Sequence, residues 1–133
     1  MPAFGVQVPL VKVPYRLLLV TKTPDTETPR RINYFVSIEA FVDSSAVERL
    51  ICDVITNEKP PVVPEIGVGI YQGLERLSTA DLVLGLEPKG HDLALYLWSF
   101  GKGTLSILRD PQGARLTPFR IYEFDHMKSC TKQ

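Results

Sequence analysis

Between Arg31 and Ile55 the spacing of apolar residues changes from every second position to every third or fourth. Ile32, Tyr34, Val36, Ile38 and Ala40 alternate with Asn33, Phe35, Ser37 and Glu39, as in a strand with one core side and one partly wet side. Val47, Leu50, Ile51, Val54 and Ile55 then recur at i, i+3, i+4, i+7 and i+8, which predicts a helix over 44–56 with one apolar stripe. Ser45 and Glu48 have capping-box spacing, and Asn57 with Pro60 supplies the stop.

Upstream, Tyr15 to Lys22 holds the short apolar run Leu17, Leu18, Leu19, Val20. Apolar groups on both sides predict an interior strand. Thr23 to Arg30, with two prolines and several hydroxyl or acidic residues, reads as a solvated link between antiparallel neighbours. Residues 1–14 are an extended lead-in interrupted by Pro2, Pro9 and Pro14, in which Val6, Val8 and Leu10 suit an edge strand.

Downstream, Lys59 to Glu65 is a stiff extended linker. Ile66 to Leu74 favours a strand whose glycines let something pack close. Ser78 to Asp81 reads as a helix start, with Leu82 to Leu86 as either a short buried helix or a strand. Asp92 to Ser99, Thr104 to Arg109 and Ala114 to Phe124 then form a three-stranded meander, joined at Gly101–Gly103 and at Asp110–Gly113. Pro118 cannot donate to a ladder, so the last strand begins there or lies at an edge. Asp125 to Gln133 is a polar tail expected to fray.

This order predicts an α+β fold: one mostly antiparallel sheet, one main helix on one face, and room for a second short helix. The 133 residues suit a single domain over 1–133, and 44% apolar with 23% charged residues is ordinary globular usage. Fifteen basic and fifteen acidic residues give no global attraction to nucleic acid or anionic membrane. No run approaches the roughly 20 apolar residues a membrane span needs. The N-terminus has no basic segment ahead of an apolar core, so no signal peptide is expected. Cys52 falls in the helix and Cys130 in the tail, so they read as two free thiols, a state that suits the cytoplasm.

Chemistry is sparse. Gly67, Gly69 and Gly73 have the wrong spacing for a dinucleotide fingerprint, and Gly101-Lys102-Gly103-Thr104 lacks the rest of a phosphate-binding loop. His91-Asp92 precedes one strand and Asp125-His126 follows another. If the two pairs met, they could perform acid–base chemistry. Solvated loop positions are the plainer alternative. Tyr96, Trp98 and Phe100 sit at alternate positions, and Tyr122, Phe124 and Arg120 extend that set from the last strand. Such a face suits a protein interface, although packing beneath a helix accounts for at least half of these rings.

The leading expectation is a non-catalytic module that binds a protein partner, or itself as a homodimer, through this aromatic face. A small apolar ligand or small enzyme site rimmed by His91 and His126 is the alternative. Nucleic-acid binding through Arg109, Arg115 and Arg120 ranks third. No cofactor, metal or membrane partner is expected.

Overall fold

A computed structural model of the chain describes residues 12–83 and 90–130. Six strands form one mixed sheet: β1 (Arg16–Thr23), β2 (Arg31–Ile38), β3 (Glu65–Gln72), β4 (Asp92–Ser99), β5 (Lys102–Arg109) and β6 (Arg115–Glu123). They lie side by side in chain order. Among the described residues there are three helices: α1 (Ser44–Glu58), α2 (Thr79–Val83) and α3 (His126–Ser129). The α+β class expected from the pattern holds in this broad sense, mostly sheet with some helix.

The one parallel pair, β2 with β3, explains where α1 falls. Parallel neighbours cannot be joined by a tight turn, so the chain must return to the starting edge of the sheet, and α1 makes that return. The helix is capped by Asp43, whose carboxylate accepts from the Ala46 N–H at 3.0 Å. The predicted Ser45–Glu48 capping box does not form, and Glu48 instead accepts from the Tyr122 hydroxyl. Lys59 ends the helix in the left-handed region, donating to Ile55 O at 3.0 Å, one residue before Pro60. A true reciprocal box occurs at α2, where Ser78 Oγ accepts from the Asp81 N–H and Asp81 accepts from the Ser78 N–H.

Val47, Leu50, Ile51 and Val54 of α1 share a single buried cluster with alternate sheet residues. The sheet contribution runs from Ile32, Val36 and Val68 to Tyr96, Leu105 and Ile107. Each of the other sheet pairings is antiparallel. The β4–β5 hairpin turns on Phe100 and Gly101, both at positive φ (49° and 84°), since Ser99 pairs directly with Lys102. This is the two-residue geometry that matches strand twist. Lys102 and Gly103 therefore belong to β5, not to the turn.

Three expectations are overturned. Among the described residues β1 is an edge strand, with β2 its single neighbour, and Leu17 and Val20 are exposed. Its two-sided apolar run reflects position at a rim, where neither side is fully covered. The segment after β6 is not a frayed tail as far as residue 130: Asp125 caps α3 by accepting from Met127 N, and Phe124 and His126 are buried. The cysteines are not free. Cys52 of α1 is joined to Cys130 by a disulfide that closes a span of 78 residues. A helix position and a polar terminal position give no pairing signal, because their approach depends on β4 to β6 returning the chain to α1. The predicted lead-in over 1–11, residues 84–88 of the predicted middle element and residues 131–133 lie outside the described residues.

Candidate functional site

The aromatic set does not present an open face. Trp98 pairs with Gly103 and Tyr122 with Leu105 in the ladder, so these rings project to the side occupied by the buried cluster. Tyr96 is 2% exposed, Phe124 7% and His126 4%. The Tyr96 ring meets Phe124 and His126 edge-on, with centroids 5.7 and 5.8 Å apart, and Trp98 meets His126 at 5.1 Å. Gly103 allows this closure, because a side chain there would overlap the Phe124 carbonyl and crowd the Tyr96 hydroxyl.

Hydrogen bonds tie the cluster together. The Tyr96 hydroxyl accepts from the His126 backbone N–H at 3.0 Å and lies 2.8 Å from His126 Nδ1. The second contact is a hydrogen bond shared between the hydroxyl and the ring nitrogen. Burial lowers the His126 pKa, against a smaller opposing pull from Asp125. Burial pushes Tyr96 up to about 12, with the Asp125 charge adding to the rise. Burial also pushes Tyr122 up to about 12, and its hydrogen bond to Glu48 adds to the effect. Tyr122 is half-buried beneath Arg120, whose guanidinium carbon is 5.3 Å from the ring. Phe100 alone of the predicted aromatics is well exposed, at 70%, and it sits in the hairpin turn rather than in a strand.

The acid–base candidates separate into two pairs near opposite ends of β4. His91 immediately precedes the strand, and its Nδ1–H donates to Gln72 O at 2.6 Å. His126 lies against Tyr96 and Trp98, roughly 15 Å or more along the strand. Asp92 pairs with Arg109 at 3.2 Å and Arg115 at 3.7 Å, and Asp125 is spent on the α3 cap. His91 and His126 therefore lie near opposite ends of β4 and are not brought into one site. Among the described residues, no group of three or more His, Cys, Asp or Glu side chains could hold a metal ion. The arginines also disperse: Arg109 and Arg115 go to Asp92, while Arg120 reaches Tyr122 and Ser44 Oγ.

The surface that remains lies on the opposite side of the sheet, and sequence reasoning passed over it. Two ladder rows cross all six strands there. One runs Thr21, Asn33, Gly67, Leu97, Thr104, Glu123. The next runs Leu19, Phe35, Gly69, Leu95, Ser106, Ile121. Leu95 is 48% exposed, Leu97 37% and Ile121 60%. On β3 the glycines provide a floor, over which the Asn33 and Phe35 side chains lean from one side. Leu95 and Leu97 stand on the other side, and an open groove of about 630 Å³ lies along these residues. Beyond it the chain following β3 closes the far end, with Leu74 N bonded to Ser37 Oγ and Leu77 and Tyr71 buried.

The signal for this face was present in the β4 alternation, where Leu95 and Leu97 oppose Ala94, Tyr96 and Trp98. Both sides are apolar, so periodicity could not tell which one the rest of the chain covers. Comparison with protein-family models, curated proteins and solved structures finds no match to the chain. No helix among the described residues is long and apolar enough to cross a membrane.

Proposed function

We propose that this chain is a non-catalytic interaction module that engages a protein through the groove-bearing side of its sheet, while α1 covers the other side. The observation that carries this reading is the exposure of Leu95 and Leu97 on β4 beside the Gly67–Gly69 floor, with Ile121 exposed on the same side two strands away on β6. Isolated surface leucines are ordinary, but a pair of exposed leucines lining a groove is a usual mark of a binding surface. Full burial of each such side chain is worth roughly 1.5–3 kcal/mol, so partial burial of three could drive a weak association. The groove is broad and unenclosed, which favours a protein surface over a small molecule held on most sides.

The Cys52–Cys130 bond also shifts the proposed setting. Disulfides persist in oxidising compartments, so we place the module there rather than in the cytoplasm. A photoreactive amino acid placed at Leu97, and separately at Val62 on the exposed linker before β3, tests the surface in cells of the source. Protein adducts at Leu97 and none at Val62 are expected. Absence of any protein adduct at Leu97 overturns the reading.

A further inference from the structure

We infer that the occupant of this face is a second copy of the chain, packed sheet to sheet about a two-fold axis that runs along the strands between β3 and β4. The inference rests on the groove-bearing face being the interaction surface, and it names the partner. An isologous contact requires a patch complementary to itself. The ladder register provides one. Turning one copy over about that axis sets β3 over β4, β2 over β5 and β1 over β6.

In the first row Leu97 then faces Gly67 of the other copy, and Asn33 faces Thr104. In the second row Leu95 faces Gly69, and Phe35 faces Ser106. The two leucines meet glycines and Phe35 meets a serine, and each pair occurs twice. Leu19 and Ile121 meet at the margins.

Charge permits the same arrangement. The chain has no net charge, and about this axis Glu65 faces Ser99 and Glu123 faces Thr21 of the other copy, while Arg31 faces Lys102. Arg31 is already paired with Glu65 at 3.9 Å, which offsets its approach to Lys102 of the other copy. Edge-to-edge pairing is less suitable. β6 carries Pro118, Arg115 and Arg120, and β1 carries Arg16 and Lys22, and such residues oppose strand addition.

Area sets the strength. Six strands at about 4.8 Å spacing and three rows at about 6.7 Å give roughly 580 Å² of flat sheet per copy. A stable dimer usually buries about 800 Å² on each side, so the expected dimer is weak and concentration-dependent. Dissociation in the range of about 10–100 µM corresponds to this class.

Sedimentation velocity on the oxidised chain, from about 1 to about 300 µM, reads the equilibrium directly. Wild type should pass from monomer to dimer across this range. Leu97→Asp should remain monomeric with an unchanged circular dichroism spectrum and melting temperature. Ser106→Phe sets a ring opposite Phe35 and should weaken the dimer about tenfold or more, and adding Phe35→Ser should recover most of that loss. A wild-type monomer throughout overturns the inference. So does a dimer indifferent to Leu97→Asp, or a folded double variant no better than Ser106→Phe. If wild type is monomeric while a different protein is crosslinked at Leu97, the second-copy inference fails and the interaction module stands. If nothing is crosslinked there, both fail.

Discussion

Strand β4 carries two apolar sides of similar sequence character that have opposite fates. On one, Tyr96 is buried and tied to His126, with Trp98 and Phe124 around it. On the other, Leu95 and Leu97 are exposed beside a glycine floor. Intrinsic hydrophobicity does not separate them. The difference is in which distant segments reach each side: α1 and the 124–130 segment share the buried cluster with the first. The second meets two glycines on β3 and small polar residues on β5. One side is therefore a structural closure, and the other is available surface.

The largest test of this contrast removes the bond that holds the closure. In the chain-entropy picture, a disulfide spanning 78 residues contributes about 4.5 kcal/mol by restricting the unfolded chain. Cys52→Ser with Cys130→Ser should lose stability of that order in urea unfolding, with much of the sheet's secondary structure retained. A loss under about 1 kcal/mol would mean that packing alone holds the 124–130 segment in place.

Within the closure, Tyr96→Phe removes a hydroxyl that accepts from the His126 N–H and is hydrogen-bonded to Nδ1. Both His126 groups would be left buried without that partner, at a cost of about 1–3 kcal/mol. Chemical denaturation measures it, and a neutral result would indicate that water replaces the hydroxyl.

The same histidine makes the closed side acid-sensitive. Its folded pKa lies below the ordinary value, so the unfolded chain binds the proton more readily. The associated stability is present above about pH 6.5 and is lost as pH falls toward the folded pKa, at no more than about 1.4 kcal/mol per pH unit. A melting series from pH 7.5 to 5 should show this slope in wild type and a shallower one in His126→Phe. Tyr96 and Tyr122, both raised to about 12, act in the other direction. Their contribution is intact below pH 10 and is lost as pH rises toward 12. Acid and alkaline losses should therefore be separable in wild type, with His126→Phe flattening the acid limb.

Much of the architecture was legible because local patterns and element order agreed. The β2 alternation and the α1 stripe announced their elements, and Pro118 marked β6 as an edge. What could not be read depended on contacts between remote residues. Asp43, two residues before the predicted box, holds the α1 cap, and Glu48 bonds Tyr122, 74 residues away. Cys130 read as a terminal thiol because nothing near it in the chain indicates Cys52. The aromatic set was found as a cluster, but its side was misjudged: alternation assigns residues to a side without saying which side is covered. Gly67 and Gly69 were read as sites of close approach, and the Asn33 and Phe35 side chains do approach them.

The smallest expected effect on stability is the sharpest test of the comparison, because it uses neighbours in one strand. Leu97→Asp places a charge on the exposed side and should change unfolding free energy by about 0.5 kcal/mol or less. Trp98→Ala, one residue on, empties part of a packed ring cluster and should cost about 3 kcal/mol or more. The two variants should also exchange order in the second readout. Leu97→Asp should abolish association that Trp98→Ala, if still folded, leaves in place. A Leu97→Asp chain as destabilised as Trp98→Ala would show that the groove side is already covered by the chain itself. Equal loss of association in both would make the two sides one cooperative unit, and the division between closure and surface would not hold.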